Sequence, residues 1–529
     1  MKKISSFLIA LLSLILFFNI NTYSDEIKNN DTTVTNTQTV INTSLSENTG
    51  LLVGVINSTG NVDYVKTMVT NGAEYLFLPS SADYSKLMFH YNNGLSLGIK
   101  NDKETILIAS DTLISINDYL SKADANGARK LNIVVMLNGV SYEYPLYVMK
   151  SANIASMFIK SKDPVKKGLY YIASNKSNKL EGTMDMVDPD GMAIYAGGLS
   201  QVKTRGNSTW AAVKKPFQIK LDAKFDLIQT GDKSNENKTW ILLANAYDPT
   251  LLHNTATFFM ADRLGLIAPD NRQVDLYFDG QYLGTYLLCE KVEVAPGRVD
   301  IDKKGFLLEI DIAYFAQEEN YVIDSSNTPF VIKSPEEVTS KEKDYLTNYL
   351  NMVNEALANN GVTSTGMKIE DLVDLDSLAK MYVLQETVKN PDAFVSSTYF
   401  YLPTNGKLTA GPVWDFDSSY GIRDDIHMNT TSGRCSHIGY IDQYLAYAPF
   451  KKLVKKYEST MNSLARTMAN SGINSYANMI SASQKMNELC WKDFEIGMYY
   501  ELPTYKQNVS YFRNFLIGRN SWAAGALGR

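Results

Sequence analysis

Gly411-Pro412-Val413-Trp414-Asp415-Phe416-Asp417, with Gly421 four residues on, is the stretch that decides how this chain is read. A short strand over 407–410 leads into it, and a glycine-bearing loop follows. Asp415 and Asp417 are two residues apart. On an extended chain that spacing sends both carboxylates to one face. Two hard oxygen ligands on one face suit Mg2+ or Mn2+, which keep water and substrate phosphates as their other ligands. A single Asp here would be read as capping a turn; the Trp-Asp-Phe-Asp cluster beside an apolar strand favours metal binding. Upstream, Lys389-Asn390-Pro391-Asp392-Ala393-Phe394 sits between a helix end and the strand Tyr399-Phe400-Tyr401. A carboxylate at Asp392 can orient an attacking hydroxyl while Asp415 holds a metal on phosphates. Phosphoryl transfer needs that division between positioning and charge neutralisation.

Around this core the periodicity changes along the chain. Tyr345, Leu346, Tyr349, Leu350, Val353 and Leu357 recur at helical spacing, as do Leu375, Leu378, Ala379, Tyr382 and Gln385, and 449–519 is mostly helical. Before residue 335 the pattern is strand-like, over 195–205, 216–221, 273–278, 282–292 and 306–310. Asp279-Gly280 is a hairpin turn between two of these strands. Asp248-Pro249-Thr250 predicts a helix to about Leu264, with Asp248 as N-cap and Pro249 as the first helical residue. The expectation is an α+β domain over 151–525. A β-rich lobe covers about 151–335, a helical lobe about 336–525, and a cleft lies between them.

Residues 51–150 carry short runs such as Tyr75-Leu76-Phe77-Leu78 and Leu131-Asn132-Ile133-Val134-Val135, with a hairpin signal at Asn138-Gly139. They predict a small all-β, sandwich-like domain. Residues 25–50, rich in Asn, Thr and Ser, read as a flexible linker. At the start, Lys2 and Lys3 precede an apolar run over 7–18, and Thr22-Tyr23-Ser24 precedes Asp25. This is the pattern of a signal peptide over 1–24, and the run is shorter than a membrane span needs. Secretion, with no transmembrane segment in the mature chain, is expected.

The 529 residues are 45% hydrophobic and 20% charged, enough for a large core. A net charge of −6 argues against general nucleic-acid binding, which needs cationic surface. Cys289, Cys435 and Cys490 are widely spaced. Cys435 and Cys490 can pair after export, but three free thiols is the simpler reading. His90, His253, His427 and His437 form no H-E-x-x-H, so a zinc protease is not indicated. Gly94-Leu95-Ser96-Leu97-Gly98 matches G-x-S-x-G, yet strands flank it on both sides where a nucleophile elbow needs a helix after it.

Several separated motifs together resemble the spore-coat protein H (CotH) kinase family. They are Thr204-Arg205-Gly206-Asn207-Ser208-Thr209-Trp210; Lys214-Lys215-Pro216-Phe217-Gln218-Ile219-Lys220-Leu221; Trp240-Ile241-Leu242-Leu243-Ala244-Asn245 with Asp248 and Asn254; Tyr282-Leu283-Gly284-Thr285-Tyr286-Leu287-Leu288; Gly305-Phe306-Leu307-Leu308-Glu309-Ile310-Asp311; Asn390-Pro391-Asp392; and Trp414-Asp415-Phe416-Asp417. The resemblance spans about 152–457. It implies an atypical, two-lobed protein-kinase-like fold that uses ATP with Mg2+ or Mn2+ and phosphorylates secreted or spore-coat proteins. Carried over by motif, Asp392 matches the catalytic-loop aspartate and Asp415 the metal-binding aspartate, with Asp417 as an accessory ligand. Arg205, Gly206 and Asn207, at a strand-to-loop turn, can offer backbone N–H groups and a guanidinium to phosphates. Lys220 is the first candidate for the lysine on the α- and β-phosphates and Lys215 the second, against the alternative of a solvated strand face. Two positions depart from the family pattern. Ser396-Ser397-Thr398 stands where many members place an Asn for a second metal, and His253 stands where many have Arg. The competing readings are a coat or surface binding protein on the same fold without turnover, and a glycoside hydrolase with two carboxylates.

Overall fold

The computed structural model describes residues 43–423, 429–435, 439–491 and 501–527. The signal-peptide segment 1–24, residues 25–42 of the expected linker, and His427 and His437 lie outside the described residues. The end of the expected linker is folded. Ser44 and Glu47 form a reciprocal capping box on the helix Leu45–Thr49, which Gly50 closes at φ +69°. Leu45 is buried in the adjoining core.

Residues 52–150 form two sheets. One orders Val62–Lys66, Leu52–Ile56, Leu87–His90 and Thr112–Ile114. The other orders Met68–Thr70, Ala73–Leu78, Val140–Lys150, Arg129–Leu137, Ser96–Lys100 and Thr105–Ile108. All neighbours are antiparallel except Ala73–Leu78 with Val140–Lys150. Alternating side chains such as Val53 and Val55, Leu97 and Ile99, and Leu131, Ile133 and Val135 fill one core between the sheets. Asn138 and Gly139 both have positive φ, as a two-residue hairpin turn requires.

The β-rich part that follows closes into a seven-stranded barrel, a closure the strand pattern alone does not announce. Its order is Ala155–Ser161, Leu180–Val187, Ala193–Thr204, Phe217–Phe225, Asn237–Leu243, Gln281–Glu290 and Asn271–Phe278. The parallel pairing of Ala155–Ser161 with Asn271–Phe278 shuts it. Met157, Met184, Val202, Phe217, Ile219, Trp240 and Leu276 are among the side chains that fill its interior. On the outer face Ile241, Leu287 and Cys289 belong to the core of the helical part. The barrel therefore joins that part through apolar packing.

The remaining sheet orders Tyr321–Ile323, Pro329–Ser334, Phe306–Ile310, Thr398–Leu402 and Thr409–Ala410. Phe306–Ile310 pairs with Thr398–Leu402 across almost ninety residues of chain. The strands over 306–334, placed on sequence in the first lobe, thus belong with the helices. These include Ser340–Ala358, Leu375–Val388, Ala448–Thr467 and Tyr505–Ala526. The architecture is α+β, with helix and strand in comparable amounts.

Two local expectations change. The helix expected from Asp248 begins at His253, because Leu251 takes a left-handed φ of +62° and breaks the run. Asp248 still serves that helix: its carboxylate accepts the N–H of Thr250 at 2.8 Å and of His253 at 2.7 Å. Asp415 has φ +69°, so the chain is not extended through Trp414–Asp417 and strand alternation does not set the directions of Asp415 and Asp417. The three cysteines are free.

Candidate active site

The loop 389–397 leaves the helix Leu375–Val388 through Lys389, a left-handed residue. The Lys389 ammonium donates to Thr430 O at 2.5 Å and Ser432 O at 2.8 Å, fixing the loop against the segment that follows Asp417. Asn390 accepts the Asp392 N–H at 3.1 Å and donates to Asp415 O at 3.4 Å. One amide thus spans the two loops that carry Asp392 and Asp415. Ser397 donates its hydroxyl to Asp415 Oδ2 at 2.9 Å.

The loop 414–417 is also held by its backbone from the start of the helix His253–Leu264. Asn254 Oδ1 accepts the Phe416 N–H at 2.9 Å, and His253 Nδ1 lies 3.1 Å from Asp417 O. His253 is fully buried between Tyr420 and Phe512. Its Nε2 lies 3.4 Å from Asp248 Oδ1. Burial holds its pKa below the ordinary value, against the raising effect of Asp248, so the ring is a neutral spacer.

The carboxyl groups act on one another. Burial, then the charges of Asp415 and Asp311, push Asp392 up to about 6, with Arg423 opposing. Burial raises Asp415, while the Ser397 hydroxyl and Arg205 hold it down. Burial pushes Asp417 well above the carboxylate range, and Asp415, Asp248 and Asp392 add to the rise. Asp392 and Asp415 keep partly exposed edges, whereas Asp417 is buried. Asp311 is a member of this group that sequence reasoning quoted within a motif but gave no role. Its carboxylate accepts from Ser396 Oγ at 3.2 Å and Tyr314 N at 3.1 Å. Its position one residue past Ile310, at the end of a strand in the sheet whose last strand leads into the Asp415 loop, is the signal that points to it.

The basic candidates separate. Arg205 lies with its guanidinium 5.3 Å from the Trp414 ring centre, and its charge bears on Asp415, so the barrel rim reaches the aspartate loop. Gly206 has φ +97°, and a Cβ there would stand 2.1 Å from Thr209 Oγ1; no other residue fits. Asn207 Oδ1 accepts from Lys176 Nζ at 3.1 Å. Lys215 is turned away. Its ammonium donates to Trp210 O at 2.5 Å and lies over the Trp210 ring, and burial pushes its pKa down to about 8. It staples the 205–215 turn. Lys220 is exposed on the outer barrel face, the solvated-face alternative. A recess of about 140 Å³ bounded by Lys214, Asp248, Trp491 and Tyr505 lies beside this cluster and is linked to it by the charge of Asp248 on Asp417 and by His253 between those two residues.

Among the described residues, no three His, Cys, Asp or Glu side chains converge as a cage for a metal. The donors nevertheless fit a divalent ion completed by phosphate and water. Asp415 and Asp417 repel each other and Asp392, and an added cation relieves that repulsion. No curated protein matches this chain. The family model described as CotH kinase protein matches residues 202–523, more than half of the 529-residue chain, from the barrel strand before Arg205 to the last long helix. With that match spanning both aspartate loops and the arginine that meets them, the chain belongs to the CotH kinase protein family.

Proposed function

We propose that this chain is an exported serine/threonine protein kinase on an atypical, two-lobed kinase-like domain. It transfers the γ-phosphate of ATP to proteins outside the cytoplasm, spore-coat or cell-surface proteins among them. The observation that carries this reading is that Asn390 joins the two loops bearing Asp392 and Asp415, with the charge of Asp415 acting on Asp392 and with Arg205 over Trp414 beside them. Export rests on the basic and apolar start of the sequence. No helix among the described residues is long and apolar enough to cross a membrane.

In this reading Asp392 accepts the proton of the acceptor hydroxyl as its oxygen bonds to the γ-phosphorus. The bond from that phosphorus to the bridging oxygen breaks, and ADP leaves. Asp415, with Asp417 behind it, would hold Mg2+ or Mn2+, which supplies positive charge against the phosphate oxygens. Ser397 and Asn390 keep Asp415 oriented, and Asn254 and His253 keep its loop in place. The test is incubation of the mature protein with γ-labelled ATP and Mg2+ or Mn2+, followed by mapping of labelled residues. Label on Ser or Thr that disappears in Asp392→Asn and Asp415→Asn supports the proposal. Undiminished transfer in either variant overturns it. Nucleotide binding without any transfer makes the chain a binding protein instead.

A further inference from the structure

We propose that Lys203, flanked by Lys176 and Arg205, is the anion-binding face for the polyphosphate of the nucleotide, the role sequence reasoning gave to Lys220 and Lys215. The assignment rests on the kinase reading of the same site.

Lys203 and Arg205 are two residues apart at the end of the strand Ala193–Thr204, so they share a face. That face is fixed by register. Lys203 pairs with Gln218, Gln218 with Ile241, and Ile241 with Cys289. Phe217 and Ile219, the neighbours of Gln218, fill the barrel interior, so the row Lys203–Gln218–Ile241–Cys289 lies outside. Ile241 and Cys289 pack in one core with Ala410, Val413 and Trp414. The outer face bearing Lys203 therefore looks toward the aspartate loop. Arg205, next along, already reaches Trp414.

The chemistry of Lys203 is that of an anion-binding group. It is half-buried, and among the described residues its ammonium meets neither a carboxylate nor a carbonyl. Elsewhere in the molecule, partly covered lysines have anions: Lys160 has Asp63 and Asp185, and Lys333 has Glu309 and Glu318. Around Lys203 stand Lys179, Lys291, Arg205 and Lys176, all of which, with burial, hold its pKa below the ordinary lysine value. Lys176 reaches the same turn through Asn207. Cations gathered at one rim, with Glu293 on Lys291, Glu318 acting on Lys176 and Asp415 on Arg205 as partial counter-charges and no carboxylate on Lys203 among the described residues, still repel one another until an anion arrives. A chain of phosphates running from the aspartate loop toward the barrel rim supplies it, through charge-assisted hydrogen bonds.

Calorimetric titration of the full chain with Mg–ATP and, separately, with inorganic tripolyphosphate tests the assignment. Lys203→Met is expected to weaken both by about tenfold or more, the effect of one lost charge-assisted hydrogen bond. Lys203→Arg is expected to stay within a few-fold. The ligand-free melting temperature of Lys203→Met should be unchanged or higher, because a repelling charge has gone. Tripolyphosphate affinity unaffected in Lys203→Met, no tripolyphosphate binding by the wild type, or loss on Lys220→Met with Lys203→Met unaffected would each overturn it. Lys203-dependent tripolyphosphate binding without ATP binding would leave the anion face standing and remove the kinase reading.

Discussion

Asp392 sets the pH dependence expected of this site. Its carboxyl is raised to about 6 by burial and by neighbouring carboxylates, and only the ionised form accepts a proton. As pH falls through about 6, kcat/KM should therefore drop, approaching about tenfold per pH unit on the acid side. Asp392→Asn should cost about 10²–10⁴-fold at neutral pH and abolish that limb. A flat profile from pH 5 to 8 in the wild type would remove Asp392 from the role of base. Asn254 gives a second expectation. Asn254→Ala takes the acceptor from the buried Phe416 N–H and should cost about 1–3 kcal/mol of stability. Mg–ATP affinity should fall with it, read by denaturant midpoint and calorimetry. The two loops that carry the candidates Asp392 and Asp415 were legible in the sequence because each is short and bounded by clear elements. Lys203 was not. Period-two alternation groups Lys203 with Arg205, but only the barrel register tells which face turns toward the aspartates.

Among the elements, the helix Leu375–Val388 shows what tertiary context adds to periodicity. Its existence and its end before Asn390-Pro391 follow from spacing and from the proline. Its burial nearly all round does not follow, and neither does Glu386, fully buried and paired with Arg519 at 2.8 Å from the last helix. Arg519 also donates to Glu386 O and Thr431 O, tying that helix to the segment after Asp417. Arg519→Met leaves the Glu386 carboxylate in the interior without its 2.8 Å guanidinium partner, with Arg434 3.9 Å away and the Cys435 N–H still donating to it. The expected loss is about 3–5 kcal/mol, measured as a lower urea midpoint; an unchanged midpoint refutes it. The helix His253–Leu264 starts later than its capping residues suggest for a related reason. Asp248 is a good cap by type, but the turn at Leu251 lets its carboxylate reach the first helical N–H from five residues away. Spacing rules do not contain that geometry.

For the molecule as a whole, a polar cluster at Asp275 supplements the apolar packing where the first β region, the barrel and a late helix meet. Asp275, in the barrel, accepts hydroxyls from Ser151, Tyr282, Thr285 and Ser483, which lie at the end of the first β region, in the barrel and in a late helix. Lys214 is buried beside it, donating to Thr285 O at 2.5 Å and Asn487 Oδ1 at 2.8 Å. Burial pushes its pKa down to about 7 from the ordinary 10.5. Between those values the unfolded chain holds a proton that the folded chain does not, so stability rises with pH. From pH 7.5 to 9.5 Lys214 should add roughly 2 kcal/mol, and Lys214→Met should flatten that gain. Equal slopes in the two proteins, by urea titration at each pH, would discount Lys214. The α+β class and the early sheets were legible at large scale from strand and helix periods. Barrel closure was not, since a parallel pairing between residues more than a hundred apart leaves no local signal. That closure has a practical outcome for anyone cutting the gene. A fragment beginning at residue 202, where the family match starts, discards Ala155–Ser161, Leu180–Val187 and most of Ala193–Thr204. Its remaining strands would expose raw edges and the greasy lining around Phe217 and Trp240, and such a product should collect in inclusion bodies. Starting near residue 43 also retains Phe77 and its neighbours, which cover Phe158, Tyr277 and Tyr282, so soluble preparations should need that earlier start.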